Sequence, residues 1–483
     1  MNVKVCLATL HANPDFTPLA LLYLKTSVVA RLGYAADDIV IVEGAAADAD
    51  ADALASQILA TSPRIVGLSC YVWNIGILMA AARRIKARAP ETIIVLGGPE
   101  VGPIAVDVLR AHDAVDVIVK SEGEVPFAEL VARWRSGDAI DEVRGVCRRR
   151  GADIVEHEDA IVVKQLDELP SPHRSHFVDP NGRVACIETQ RGCVFRCSFC
   201  FYNKDLSIRN RRFDLERVQA EILDALQSGA GEIYLMDPIF NLHAARAKEI
   251  CRFIAAHNDR RVPVHAEIWA EFVDDELAGL MREAHVTFLE VGLQSTDDVA
   301  LATVERRLRL QRFEEGIAHL KAHGLKFELQ LIFGLPGETL ASFRKSLDYA
   351  SSLDPDFLAV FPLMILPGTE LWRKAREIDL VFDPQPPYHV RSHFSMTADD
   401  VAYGRKIMDA LEYLRNSKTA RFLSREPGVT FAGMIDRWIA WREDEQWPEA
   451  AEPNPKLFIA RFCREQRIDA RFYQSFASWE FSG

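Results

Sequence analysis

Along the first part of the chain, short β-branched apolar runs alternate with segments of helical period. Strand patterns fall at 3–9, 39–43, 65–68, 93–96 and 117–120. Helix patterns fall at 18–31, 50–60, 78–89 and 104–110, and another begins at Glu124. Strands that are apolar on both faces and separated by helices predict a parallel, doubly wound (Rossmann-like) α/β sheet. Ligands on such sheets bind beyond the carboxyl ends of the strands, so the loops at 10–14, 69–74, 97–99 and 121–123 are the places to look.

A hairpin-like stretch and a proline-bearing segment, LDELPSPHRSHF, follow. A second alternating series then places strands at 184–189, 232–236, 264–268, 287–291, 327–332 and 357–361. Six β/α units fall short of the eight of a closed barrel and predict a partial (β/α)6 barrel, open on one side. After DPQPPY the chain turns mainly helical, with Trp438, Trp441 and Trp447 close together and an amphipathic helix expected over 399–415. The expected division is 1–143 for the first domain, 144–180 for a linker, 181–383 for the barrel and 384–483 for the helical domain.

The net charge of −13 supplies no broad cationic field, which argues against nucleic acid and anionic lipid as partners. The apolar stretch at 65–82 is interrupted by Gly67, Ser69, Asn74 and Gly76, so it reads as a strand entering a helix rather than a membrane span. The first fifteen residues lack a secretory pattern, and a cytoplasmic location is expected. Nine cysteines there predict thiols that are buried or hold metal, not a disulfide framework. No H-E-x-x-H, G-x-S-x-G or P-loop motif supports a hydrolase.

The chemistry-bearing segment is RGCVFRCSFCFYN, which sets Cys193, Cys197 and Cys200 in a C-x3-C-x2-C pattern after the first barrel strand. Three thiolates on one loop wrap three corners of a [4Fe–4S] cubane and leave its fourth iron open to a chelating group. The alternative is a Cys3His zinc site using His173 or His176, although zinc thiols usually come as C-x2-C pairs. Cys6, Cys70, Cys147, Cys186, Cys251 and Cys463 have no metal spacing and read as buried thiols, with Cys186 on the first barrel strand. The arginine-rich run ERRLRLQR at 305–312 reads as a solvated face.

On these residues the chain resembles radical S-adenosylmethionine (SAM) enzymes that carry an N-terminal cobalamin-binding domain. The resemblance implies cluster ligation by Cys193, Cys197 and Cys200, with Phe199 against the adenine of SAM. Its match to MDPIFN makes Asp237 and Asn241 candidates near the SAM amino group. LEVGLQS contributes Glu290, Gln294 and Ser295 toward ribose and carboxylate. LQLIFGLPGET and MILPGTEL contribute Gln330, Ile332, Gly334 and Leu366.

In the first domain the matching segments are TLHANPDFTPLALLYLK, GLSCYVWN, LGGPEVG and KSEGEVPF. They make Leu10, Ser69, Tyr71, Val72, Trp73, Gly97, Gly98, Glu122 and Gly123 candidates for cobalamin. The D-x-H-x-x-G signature that supplies a histidine to cobalt is absent. The segment 384–417 resembles the uncharacterised C-terminal domain of one branch of the family.

The resemblance implies reductive cleavage of SAM, with a flavodoxin or ferredoxin as one-electron donor. A cobalamin-dependent methyl or related group transfer to a small molecule is the expected reaction. Transfer of a 3-amino-3-carboxypropyl group, as to trivalent arsenic in arsinothricin-type biosynthesis, is the second enzymatic reading. A non-catalytic cobalamin- or redox-sensing protein is the third.

Overall fold

The computed structural model describes residues 3–160, 162–203, 210–414, 417–444 and 454–469. Its first sheet contains β1 (Val5–His11), β2 (Ile39–Ala45), β3 (Ile65–Ser69), β4 (Ile93–Gly97), β5 (Val117–Val119), β6 (Val146–Arg150) and β7 (Asp153–Glu156). The spatial order is β2-β1-β3-β4-β5-β6-β7, with the first five strands parallel and the last two antiparallel. Two apolar clusters, one on each face, explain the unbroken hydrophobic strands. Helices α1 (Leu19–Leu32) and α5 (Glu124–Ser136) supply Leu21, Val28 and Phe127 to one. Helices α2 (Ala51–Ala60), α3 (Ile75–Arg88) and α4 (Ala105–Ala111) supply Leu54, Leu78 and Leu109 to the other. Asp50 caps α2 by accepting from the amides of Asp52 and Ala53, which fixes where that helix begins. The β6–β7 hairpin lies inside the segment expected to link the domains, and it extends the first sheet through β5.

The second sheet contains β8 (Val184–Ile187), β11 (Glu232–Leu235), β12 (Val264–Ile268), β13 (Val286–Gln294), β14 (Phe327–Phe333) and β15 (Phe357–Pro362). All its pairings are parallel, in the order β15-β14-β13-β12-β11-β8. A two-stranded ribbon, β9 (Gln190–Arg191) and β10 (Arg211–Arg212), brackets the cysteine loop. Residues alternate along the strands: Val264, Ala266 and Ile268 are buried in the core, whereas His265 and Glu267 turn to the opposite, half-buried face. This face is the lumen, and polar side chains gather there.

The sheet does not close. Beside its edge strand β8 runs the loop that leaves β1. Thr17 donates its amide to the Val184 carbonyl at 3.1 Å, and the Val184 amide donates to the Asp15 carbonyl at 2.9 Å. Arg183 bonds Glu43 of β2 at 2.9 Å, and Tyr388 donates to Glu100. The loop after β1, Glu43 of β2 and the loop after β4 of the first domain are thereby joined to the start of β8 and to Tyr388.

The C-terminal helices α13 (Ala398–Leu414), α14 (Lys418–Leu423), α15 (Phe431–Asp444) and α16 (Pro455–Glu465) cover the barrel near β14 and β15. Trp438 meets Phe458 edge to face in their core with Trp441 tilted against both, and Trp447 lies outside the described residues. Among the described residues no helix is long and apolar enough to cross a membrane.

Gly404 lets α13 approach the barrel: a Cβ there would stand 1.9 Å from the Phe333 ring. Gly404→Ala is therefore expected to cost about 1–3 kcal/mol by overpacking, read as a lower melting temperature. Gly76→Ala, where a Cβ meets nothing within 4 Å, is the control and is expected to gain up to about 1 kcal/mol.

Candidate cofactor site between the two sheets

The thiol loop rises from the end of β8 and is braced by backbone bonds. The Ser198 amide donates to the Val304 carbonyl at 2.9 Å, and the Leu371 amide donates to the Ser198 carbonyl at 2.8 Å. Cys200 returns its amide to the Cys197 carbonyl at 2.9 Å, so the last two cysteines share one turn. Burial pushes the Cys200 thiol up to about 12, and the neighbouring Cys197 and Cys193 add to the shift. Among the described residues no three His, Cys, Asp or Glu side chains converge on a point that would hold a single ion. His173 is buried, with Nε2 against the Cys186 carbonyl at 3.0 Å, and His176 is exposed, so the zinc reading lacks its histidine.

Glu305, Arg307, Arg309 and Arg312 are exposed, as the reading of 305–312 as a solvated face expects, and Arg306 is the exception. It is buried at 8% exposure and donates from Nη1 to Cys197 Sγ at 3.8 Å and from Nη2 to the Gly292 carbonyl. Its guanidinium lies 4.4 Å over Trp269, whose ring stacks on Phe195 at 4.1 Å. Its Nε is buried without an acceptor. Sequence alone hid this residue because its neighbours Glu305 and Arg307 are charged as well.

The lumen candidates divide into two groups. Glu290 accepts from Gln330 at 2.6 Å and faces His265 Nε2 at 2.9 Å. Burial opposes its ionisation, yet His265 and Gln330 together hold it below the usual carboxylate value. His265 is held up at about 9 against its own burial by Glu232 and Glu290. Phe199 and Ile332 pack on one apolar cluster. Gln294 takes a left-handed φ of 70° where β13 and β14 slip register, and Gly334 turns at φ 88° beside Val390. The Leu366 carbonyl accepts from the Thr369 hydroxyl at 2.7 Å.

Asp237, Asn241 and Ser295 are fully buried and turn elsewhere. Asp237 accepts from the Thr189 and Gln190 amides at 2.7 and 3.1 Å, which fixes the start of the thiol loop. Asn241 exchanges two bonds with the Trp269 backbone, and Ser295 donates to Glu338 at 2.7 Å. These three hold loops in place instead of presenting polar atoms to a ligand, because backbone groups left unpaired in the interior would be costly.

A cavity of about 520 Å³ opens between the strand ends of the two sheets. Leu10, Ser69, Tyr71, Trp73, Gly97, Gly98, Glu122 and Gly123 all line it; Val72 does not. Tyr71 and Trp73 stack at 4.5 Å, and Trp73 donates to the Leu10 carbonyl at 3.0 Å. The barrel contributes Cys186, Glu188, Arg191, Tyr202 and Met236 to the same wall. Cys186 was read as a packing thiol; it is buried and yet borders this space. His11 also borders it, and its Nε2 is bonded to Glu43 at 2.8 Å.

A doubly wound domain that faces a three-thiol partial barrel across one cavity defines a class of two-domain cofactor protein. Residues 5–131 match the B12 binding domain and residues 187–350 match the Radical SAM superfamily, so both domains stand in one chain. It is 29% identical over 400 residues to the cobalamin-dependent radical SAM methyltransferase TokK of Streptomyces tokunonensis, covering 75% of this chain and 58% of that protein. It is 30% identical over 332 residues to the 2-(S-pantetheinyl)-carbapenam-3-carboxylate methyltransferase of Streptantibioticus cattleyicolor, covering 64% of this chain and 48% of that protein. The chain thus spans about half the length of these relatives.

Among solved structures, the radical SAM methyltransferase TsrM of Kitasatospora setae, with cobalamin and a [4Fe–4S] cluster bound, superposes with a TM-score of 0.66 at 20% identity. That match covers 80% of this chain and 76% of TsrM. The cobalamin-dependent radical enzyme OxsB superposes at 0.68 and 15% identity over 97% of this chain and 76% of its own.

Glu267 faces the lumen, accepts from the Tyr234 hydroxyl at 2.8 Å and is pushed up to about 7 by burial and by Glu290. A carboxyl raised in the folded state favours folding below its ordinary value of 4.5 and loses that contribution as pH rises through 7. Glu267→Gln stays neutral throughout. Its loss of stability between pH 5 and pH 8 is expected to be smaller than that of the unaltered protein by on the order of 2 kcal/mol, measured from urea midpoints.

Proposed function

We propose that the protein is a cobalamin-dependent radical SAM methyltransferase acting on a small molecule. The observation that carries this reading is the shared cavity, where Tyr202, two residues beyond Cys200, lines the same space as Leu10, Gly97 and Gly98. When bound, the cluster supplies one electron to the sulfonium of SAM, and cobalamin supplies a transferable methyl group.

In this reading Cys193, Cys197 and Cys200 hold the cluster. Arg306 offers its buried, unaccepted Nε–H to the SAM carboxylate, a charge-assisted bond that a buried guanidinium is suited to make. Glu290 and Gln330 accept and donate on the ribose side, and Phe199 with Ile332 gives the adenine an apolar wall. Gln294, Gly334 and Leu366 complete the rim. For cobalamin, the eight cavity-lining candidates form the bed: Gly97 has room where a Cβ would stand, and the Tyr71–Trp73 stack presents flat aromatic surface.

Support for a small substrate comes from relatives of this fold, including TsrM solved with tryptophan. The net charge of −13 favours neither nucleic acid nor an anionic membrane. A flavodoxin or ferredoxin completes the proposal as electron source, in the cytoplasm.

The test is anaerobic reconstitution with iron, sulfide and hydroxocobalamin, then reduction with SAM and mass spectrometry of its fragments. 5′-Deoxyadenosine together with S-adenosylhomocysteine is expected, the latter only with cobalamin present. Cys193→Ala is expected to abolish both, and Arg306→Met to weaken SAM binding about tenfold or more. Methylthioadenosine in their place would assign aminocarboxypropyl transfer instead. SAM left intact by a protein holding a full cluster would overturn catalysis in favour of a sensor.

A further inference from the structure

Arg191 and Arg211 stand directly opposite each other on the β9–β10 ribbon, one at each end of the loop that carries the three thiols. Both reach out of the barrel to the same turn of the first domain. Arg191 Nη1 lies 2.7 Å from Glu124 and 3.7 Å from Glu122, and Arg211 Nη1 donates to Glu122 at 3.0 Å while its Nη2 takes the other oxygen. The turn, from Ser121 to Glu124, lines the cavity on the side assigned to cobalamin. We propose that this double arginine clamp couples the two cofactor sites, so that filling one tightens the other.

The proposal rests on the functional reading given above. Its physical basis is that the clamp cannot relax at one end only. The arginine side chains are nearly buried, at 12% and 10% exposure, and Glu124 is at 9%. Arg191 also bonds Glu188 at 2.9 Å and lies 4.9 Å over the Tyr23 ring of α1. Three carboxylates from two domains therefore share one guanidinium. Drawing the ribbon away would strand buried like charges, which is far more costly than losing an exposed ion pair. A bidentate fork also fixes orientation, so the register of the ribbon and the position of the turn are set together. A group seated against the turn and a group held by the loop then each restrict the same contacts, and binding free energies coupled in this way are reciprocal.

Hydroxocobalamin is the probe, its binding followed by absorbance to the cluster-loaded protein and to protein stripped of iron with chelator and ferricyanide. Binding about tenfold tighter to the loaded form is expected. Arg211→Gln and Glu122→Gln are each expected to bring the ratio of the two dissociation constants close to one without abolishing cluster uptake. Arg191→Lys, which keeps the charge and loses the fork, is expected to lower the ratio and checks that charge alone is insufficient. A ratio of one in the unaltered protein, or an undiminished ratio in both Gln variants, overturns the clamp and leaves the functional reading standing. Failure to take up either cobalamin or iron overturns both.

Discussion

An open parallel barrel leaves an edge strand whose backbone donors and acceptors must be met by something, and in this protein the first domain meets them. Residues 15–17 bond to β8 through the Thr17 and Val184 amides, and the Thr17 hydroxyl also accepts from the Cys186 amide at 3.2 Å. An exposed edge is a template for the wrong partner. Covering it with the loop that leaves β1 does more than protect it, because that loop belongs to the carboxyl end of the first sheet. The pairing sets the carboxyl end of the first sheet against the start of β8, and the cavity opens beyond it among strand ends, where parallel α/β architecture binds ligands. The cavity follows from the covered edge.

Placing two ligand-binding ends face to face concentrates polar groups in a confined space, and the protein answers with pairing. Glu43 takes both Arg183 and His11, Glu290 takes His265 and Gln330, and Glu188 takes Arg191. Glu267 receives a neutral hydroxyl in place of a cation and is raised to about 7, as is Asp237, whose donors are the neutral Thr189 and Gln190 amides. The difference follows from burial: desolvation disfavours the charged form unless a counterion repays it. Glu290 is therefore held low by its cation, Glu267 and Asp237 are able to change charge near neutrality, and burial raises Glu188 even against Arg191.

Much of this was legible in the sequence. Short β-branched apolar runs between segments of period 3.6 located the parallel strands of both sheets within a few residues, because strands covered by helices are rich in apolar residues and end at polar loops. The cysteine spacing located the loop, and glycines at strand ends located the cavity wall, where backbone must come close to other groups. What the sequence could not carry was the direction of individual side chains. Asp237 and Ser295 have the residue types of ligand contacts, yet each is consumed by local backbone or a buried carboxyl. Arg306 sits in a run that reads as solvent-exposed, and only the fold brings it over Trp269 and against Cys197. Contacts between residues hundreds of positions apart, such as Tyr388 with Glu100, leave no periodic trace.

The same reasoning explains why the thiol loop needs so many external supports. Its own sequence offers a single turn between Cys197 and Cys200, and among the described residues the chain around it has neither a long helix nor a central strand to hold it. Order is imported instead from three directions: Val304 and Leu371 through the backbone, Arg306 through sulfur and carbonyl, and the β9–β10 ribbon through the first domain. A site that must hold three sulfurs in fixed relation while leaving one side open cannot bury itself in a core. Bracing from neighbouring elements gives it rigidity without closing the mouth, and it makes the geometry of the loop depend on how the two domains meet.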